Sequence, residues 1–276
     1  MKIERTLAPG KYRYLSKHIV VMTWFDQDVK KDVGDEWRYF AISGFVMSFE
    51  DKWFLATAGH IVRDIEENRL GGLTRVRAMA IIDHGGVEAK HTDAFPFDYD
   101  GAEKYWVVDN DGLDFGFIEI QEFYRRTMEA NDVVPISESQ WDQEEGQEFE
   151  ENVVIGLPCN QQIRLGDISA GKSTLEGRAQ IVVMPILNVR DDDAPPQKST
   201  SVIYAKCRDK KVEKLEHVDG FSGSPVFGIG PKNEDGTIPY RVIAMQFAWE
   251  PTKRCVVLSP VRTFARLFQQ YLASKK

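Results

Sequence analysis

The chain has 276 residues, a formal net charge of -8, a hydrophobic share of 42% and an aromatic share of 11%. This composition is typical of a globular protein and excludes a largely disordered chain. The acidic balance argues against a nucleic-acid partner, because phosphate binding needs clustered Lys and Arg, and the basic pairs Arg125-Arg126 and Lys210-Lys211 are short.

Membrane and metal partners are not expected either. No apolar stretch approaches the length of a membrane-spanning helix, and the N-terminal residues lack the apolar core of a signal peptide. The three cysteines, Cys159, Cys207 and Cys255, are far apart in sequence and match neither a disulfide framework nor zinc-ligand spacing. We therefore expect a cytoplasmic protein with reduced thiols and no cofactor.

Short strand-like segments with turn signals between them dominate the chain and predict an antiparallel β architecture. A first set comprises residues 19–22, 40–47, 53–56, 75–82 and 115–120. A second set comprises residues 153–156, 180–186, 202–206, 226–228, 241–247 and 256–258.

An acidic run over residues 142–151 separates the two sets and is predicted to connect two β-barrels. The resulting units are residues 1–140 and 141–276. After Pro260, apolar residues recur at three- and four-residue intervals up to Leu272, which predicts an amphipathic helix. We expect its apolar face to dock on the second barrel, since its polar face is not basic enough for a membrane surface.

In the first set, two apolar runs flank a polar turn at 50–52 and predict a β-hairpin that ends in Thr57-Ala58-Gly59-His60. A ring at His60 could face a cleft and act as a base. The competing interpretation is a histidine that bonds a carbonyl at the end of a strand.

Asp114 begins the apolar run 115–120, where a carboxylate would be largely buried and would need a hydrogen-bond donor such as an imidazole N–H. The alternative role is a turn residue that starts the strand. Other candidate carboxylates lie in more polar, turn-like surroundings: Asp98, Asp100, Asp109 and Asp111.

Ser222 lies in Gly220-Phe221-Ser222-Gly223-Ser224-Pro225, between a glycine at either side of a tight turn. Such a turn exposes the hydroxyl and directs amide N–H groups into one small concavity that suits developing negative charge. A serine hydroxyl needs a base, and that base needs an orienting group, to become a nucleophile.

The blocks around His60, Asp114 and Ser222 resemble, in the same chain order, the three signature blocks of the chymotrypsin-like (trypsin-like) serine peptidases. Ser43-Gly44-Phe45 and the C-terminal helix also match, so the resemblance spans about residues 18 to 272. It implies an all-β fold of two antiparallel six-stranded-type barrels with a C-terminal helix, and a cleft between the barrels.

The resemblance also implies roles. His60 would be the general base and then the general acid, Asp114 would fix its tautomer, and Ser222 would be the nucleophile. The backbone N–H groups of Gly220 and Ser222 would form the oxyanion hole. The partner would be a protein or peptide substrate.

Two departures separate the chain from the secreted members of that family. Phe221 replaces the aspartate that pairs with a newly released N-terminus, so activity without N-terminal processing is expected. Ile61 replaces the usual disulfide cysteine. In these respects the chain looks more like the HtrA-type and bacterial glutamyl-endopeptidase branches.

The residues that would select the substrate side chain before the cut bond are less clearly marked in the sequence. Six positions before the nucleophile lies Glu216, which as a pocket floor would favour Lys or Arg. The competing and favoured interpretation is a surface turn over residues 214–217. The strand segment Gln246, Phe247 and Ala248 is expected to form a pocket wall and pair with bound peptide. No histidine occupies position 246, which counts against specificity for glutamate or glutamine.

Three other hypotheses compete with a constitutively active endopeptidase: a peptide-binding module, a partner-activated enzyme and a nucleotide-dependent switch. A catalytically silent protease fold could bind peptides by strand addition along 241–248, or the enzyme could require an activating protein partner. Gly166–Ser173 satisfies the phosphate-loop pattern with Lys172, but a polar segment precedes it and β-branched residues follow. A hairpin turn explains it better.

The aspartates at 191–193 match no calcium loop and indicate a solvated loop.

Overall fold

The structure is a computed structural model. It describes residues 2–6, 10–28, 38–70, 74–83, 94–109, 112–142, 149–157, 176–180, 182–188, 202–208 and 220–276. The phosphate-loop pattern at 166–173, the aspartates at 191–193 and Glu216 lie outside these residues.

The first half of the chain contributes eight strands, two α-helices and two short 3-10 helices (10–18 and 138–140) within the described residues. The strands are β1 (Lys2–Thr6), β2 (Ile19–Asp28), β3 (Arg38–Phe49), β4 (Lys52–Thr57), β5 (Thr74–Asp83), β6 (Phe95–Pro96), β7 (Lys104–Val108) and β8 (Asp114–Ile120). The helices are α1 (Gly59–Leu70) and α2 (Glu122–Ala130).

The second half contributes seven strands and one α-helix in the described part of the chain. The strands are β9 (Glu151–Gly156), β10 (Glu176–Gln180), β11 (Val182–Asn188), β12 (Ile203–Cys207), β13 (Pro225–Ile229), β14 (Tyr240–Glu250) and β15 (Cys255–Pro260). The helix is α3 (Val261–Ser274), which begins directly after Pro260 as predicted.

The fold class is confirmed: the protein is mostly β, with a closed barrel, a second sheet and a C-terminal helix. The barrel has the strand order β11-β12-β15-β14-β13-β9 and is antiparallel throughout. The other sheet has seven strands in the order β6-β5-β2-β3-β4-β8-β7, where six in a closed barrel were expected. A separate parallel pair joins β1 to β10.

The predicted hairpin before His60 is confirmed by the pairing of β3 with β4. Its two-residue turn places Glu50 and Asp51 at φ of 47° and 65°. Positive φ at both turn residues matches the right-handed twist of the strands, which is why this turn suits a tight hairpin. Trp53 to Thr57 follow as a run of buried residues that leads directly to α1.

Helix α3 does not dock only on the barrel, which corrects the expectation from the sequence. Phe268 lies 4.0 Å from Phe117 and 4.8 Å from Phe54, measured between ring centroids. Phe264 stacks on Phe115 at 5.3 Å. All of these partners belong to the seven-stranded sheet, and the same buried cluster also contains barrel residues such as Phe227. The helix therefore fills the space between the two sheets.

His18 is fully buried and joins the short helix 10–18 to both halves of the molecule. Its Nδ1 lies 2.6 Å from the carbonyl oxygen of Val134, and its Nε2 lies 2.7 Å from the hydroxyl of Tyr240. A neutral ring satisfies both contacts, since Nδ1–H donates to the carbonyl and Nε2 accepts from the tyrosine. Burial, which disfavours the charged ring, lowers the pKa of His18 to about 3.

Acid is therefore expected to destabilise the fold through His18. The folded-state pKa lies below the unfolded value, so the unfolded chain binds the extra proton between about pH 6.5 and pH 3. The contribution of His18 is complete above that window and falls by roughly 1.4 kcal/mol per pH unit within it. Urea unfolding from pH 7 to pH 4 should show a steeper loss for wild type than for His18→Gln. Parallel curves would contradict the expectation.

No helix among the described residues is long and apolar enough to cross a membrane.

Candidate active site

His60 is the second residue of α1 and lies directly after β4, which pairs with the strand that Asp114 begins. Gly59 makes this approach possible. A Cβ built at Gly59 would lie 2.4 Å from the carbonyl oxygen of Val107 and 2.5 Å from that of Phe115. Because any side chain would clash with backbone there, glycine lets the start of α1 lie against β7 and β8.

The Asp114 carboxylate contacts His60 through both of its oxygens. Oδ2 lies 2.7 Å from Nδ1 of the ring, and Oδ1 accepts the backbone N–H of His60 at 2.8 Å. Asp114 is buried, whereas the side chain of His60 is 30% exposed to solvent. With Nδ1–H donating to the carboxylate, the Nε2 lone pair faces away from Asp114 and can accept a proton. Within the described part of the chain, Nε2 makes no hydrogen bond.

A residue of the barrel holds the backbone of Asp114. The Asp114 N–H donates to Oγ of Ser259 at 3.3 Å, and the Ser259 hydroxyl lies 3.4 Å from the Asp114 carbonyl oxygen. Ser259 is fully buried in β15. The carboxylate that orients His60 is therefore fixed from both sheets.

Ser222 lies in a turn, as its flanking glycines predicted. Gly220 and Gly223 both have φ of 91°, a left-handed conformation that favours glycine. Phe221 is fully buried in the barrel core, and its carbonyl accepts the N–H of Ser224 at 2.8 Å. The turn is thus anchored by one large side chain and closed by a backbone hydrogen bond.

The turn that carries Ser222 packs against the end of the strand that leads to His60. A Cβ built at Gly223 would lie 2.1 Å from the carbonyl oxygen of Ser43 and 2.3 Å from Oγ1 of Thr57. Thr57 precedes His60 by three residues. The segments that carry the two side chains are therefore neighbours.

The Ser222 hydroxyl itself donates to the carbonyl oxygen of Phe247 at 3.3 Å. Among the described residues it makes no hydrogen bond to His60. The backbone N–H groups of Gly220 and Ser222 likewise have no acceptor in the described part of the chain.

The residues expected to bind substrate lie mostly on β14. Gln246 is buried, and its side-chain amide donates to the carbonyl of Ala248 at 2.9 Å. Phe247 and Ala248 are half-buried, and Phe247 lies at a bulge in the pairing of β14 with β15. Glu216 lies outside the described residues.

The strand pairing on one side of β14 ends at Met245 in the described part of the chain. Up to that residue β14 pairs with β13, and beyond it the ladder continues with β15 alone among the described residues. The N–H and carbonyl of Gln246 are taken by Ser224 and Gly223. The next two carbonyls are engaged by side chains, since that of Phe247 accepts the Ser222 hydroxyl and that of Ala248 accepts the Gln246 amide. Beyond Gln246, no strand in the described part of the chain pairs with this side of β14.

Two hydroxyl residues at the site were missed by the sequence interpretation, Ser43 and Ser259. Ser43 was noted only as part of a matching segment, and nothing local distinguishes Ser259 from any strand serine. In the described residues, no group of three or more His, Cys, Asp or Glu side chains could hold a metal ion.

No protein-family model matches the chain, and no curated protein matches it. Solved structures do. The inactive form of Rv3671c from M. tuberculosis is 12% identical, with 95% of this chain and 89% of the other covered and a TM-score of 0.43. Catalytically active tobacco etch virus protease complexed with product is 14% identical, with coverage of 96% and 82% and a TM-score of 0.47. The thermostable serine protease AL20 from an extremophilic microorganism is 15% identical, with coverage of 95% and 100% and a TM-score of 0.48.

Proposed function

We propose that the protein is a serine endopeptidase in which His60, Asp114 and Ser222 act as the catalytic triad. The observation that carries this proposal is the double contact of the Asp114 carboxylate with the ring and the backbone N–H of His60. A histidine held in this tautomer presents Nε2 as a base, and the Ser222 turn packs against the strand that leads to it.

In the proposed reaction, Ser222 Oγ leaves the Phe247 carbonyl and attacks the carbonyl carbon of a peptide bond. Nε2 of His60 takes the hydroxyl proton, and the N–H groups of Gly220 and Ser222 bind the resulting oxyanion. His60 then gives the proton to the leaving amine, which departs and leaves an acyl-enzyme. A water molecule, deprotonated by the same nitrogen, releases the second product.

Three finer features belong to the proposal. Phe221 is buried in the barrel core and has no charge that could pair with a new N-terminus, so the enzyme would need no N-terminal cleavage. Glu216 would select Lys or Arg before the cut bond, as in trypsin-like enzymes. The enzyme would act inside the cell and resemble the HtrA-type and glutamyl-endopeptidase branches.

A fluorophosphonate probe tests the proposal directly. Such a probe reacts with a serine hydroxyl only where a base and an oxyanion hole activate it. Wild type should be labelled at Ser222, Ser222→Ala should stay unlabelled, and Ser224→Ala should be labelled like wild type. Absence of labelling in folded wild type would contradict catalysis. Cleavage of a peptide library by the same preparation would report the preferred residue, and a preference without Lys or Arg would contradict the role of Glu216.

One observation favours a second candidate. Because the Ser222 hydroxyl bonds Phe247 and not His60, the chain also fits a protease fold that is silent until a protein partner reorients the turn, or one that only binds peptides. Peptide affinity that His60→Ala leaves unchanged, together with no turnover and no labelling, would support this second function.

A further inference from the structure

Ser43 is a buried side chain that the proposed reaction does not use. It lies on β3 in the seven-stranded sheet, is fully buried, and is 177 positions away in sequence from its hydrogen-bond partner in the Ser222 turn. Its hydroxyl donates to the carbonyl oxygen of Gly220 at 3.0 Å. The Oγ atom of Ser43 also accepts the N–H of Leu157 at 2.8 Å, just past the end of β9.

The backbone of Ser43 contacts the other catalytic segment. Its carbonyl oxygen accepts the hydroxyl of Thr57 at 3.0 Å and lies against Gly223. Ser43 therefore touches the turn of the nucleophile at both ends and also the strand end that leads to His60. A single residue links the segments that must stay in register for proton transfer.

The hydrogen bond from Ser43 restrains a backbone position that would otherwise be flexible. With no side chain, Gly220 can rotate about its backbone dihedrals more freely than any other residue. Its neighbour Phe221 is held in the barrel core, but Gly220 itself receives a hydrogen bond only from Ser43 among the described residues. An oxyanion hole is effective when its donors are fixed before the reaction, so that no reorganisation is needed.

We propose that Ser43 is a positioning residue that holds the carbonyl of the Gly220–Phe221 peptide, and with it the turn whose Gly220 and Ser222 N–H groups receive the oxyanion. This inference rests on the proposed function. It assigns Ser43 an effect on the chemical step and not on substrate affinity, because the Ser43 side chain is fully buried.

Ser43→Ala tests the inference, with Ser16→Ala as the matched control. Ser16 is also fully buried and also donates to a backbone carbonyl, that of Arg13 at 2.6 Å, but it lies in the short helix 10–18 away from the turn. Fluorophosphonate labelling over a range of probe concentrations separates the maximal rate constant from the probe affinity. A thermal melt of each variant reports stability.

Ser43→Ala should lower the maximal labelling rate about tenfold to a hundredfold, the scale of a misplaced or lost oxyanion donor. Probe affinity should stay within twofold of wild type, and Ser16→Ala should label at the wild-type rate. The pH profile of labelling should match that of wild type. A labelling rate in Ser43→Ala within twofold of wild type would overturn the inference.

If Ser43→Ala does not fold, Ser43→Cys provides the same comparison, since a thiol keeps most of the volume but is a weak donor. It should also label at least several-fold more slowly, and a wild-type rate would overturn the inference. If wild type is labelled and the Ser43 variant is labelled at the same rate, only the role of Ser43 is contradicted, and the proposed function stands. Unlabelled wild type contradicts this role and the proposed function together.

Discussion

Asp114→Asn is expected to lower kcat/KM for peptide hydrolysis by about 10⁴-fold while the protein stays folded. The carboxylate now accepts from Nδ1–H of His60 and from the His60 backbone N–H. An amide can accept only one of these bonds and donates through its nitrogen to the other position. When it accepts the backbone N–H, its NH₂ group faces Nδ1 and places the ring proton on Nε2, which can then no longer take the Ser222 proton.

Asp109→Asn is the control for this prediction. Asp109 precedes the same strand and also accepts a backbone N–H, that of Leu113 at 2.8 Å, but it does not contact His60. This variant should keep its activity within a few-fold of wild type. Initial rates on a chromogenic peptide measure both variants. Equal losses of activity at the two positions would contradict the prediction, because they would show that activity depends on the segment as a whole and not on the Asp114 carboxylate.

Phe268→Ala is expected to destabilise the protein by about 3–5 kcal/mol, the usual cost of removing a buried phenylalanine. Phe268 is 1% exposed and its ring lies within 6 Å of the rings of Phe49, Phe54, Tyr105 and Phe117. The loss combines the transfer free energy of the ring with the cavity left between the two sheets. Urea unfolding monitored by circular dichroism gives the free energy of unfolding.

Phe123→Ala supplies the comparison, because Phe123 lies on α2 and is 74% exposed. Its removal should change the free energy of unfolding by about 0.5 kcal/mol or less. A small cost at Phe268 would mean that α3 does not pack between the sheets as described. A loss at Phe123 similar to that at Phe268 would point to a contact that this surface residue does not have in the structure.

Much of the β architecture could be predicted because strand signals are local. Apolar runs between turn residues identified β2, β3, β4, β8 and β9, and the polar turn at 50–52 identified the hairpin before His60. The interval pattern after Pro260 identified α3. These elements bury one face each, so their pattern is visible within a few residues.

The helices of the first half were missed although a signal was present. The residues of α1 with helical spacing are buried: Ile61, Val62 and Ile65. Because an apolar strand comes directly before them, the sequence analysis treated His60 as the end of that strand and predicted no helix after it. For α2, the sequence signal for a helix is the spacing of oppositely charged residues. The pairs Arg125–Glu129 and Arg126–Glu122 are each four residues apart and lie on an exposed helix surface.

The partners of the site residues could not be predicted, since they are distant in sequence. Ser259 is 145 positions from Asp114, and Ser43 is 177 positions from Gly220. Nothing in the local pattern of either serine distinguishes it from other strand serines. Likewise, the direction in which α3 docks depends on which rings of the seven-stranded sheet reach it, and periodicity only shows that one face is apolar.

In the proposed function, the side of β14 that lacks a paired strand beyond Gln246 in the described part of the chain restricts what can dock there. A polypeptide can pair with this backbone only where its own N–H and carbonyl groups are not already engaged in a helix or another sheet. Natively folded proteins rarely offer such stretches except at frayed termini and loop tips. In the proposed function, any segment that pairs along β14 must therefore be extended and free of its own backbone hydrogen bonds.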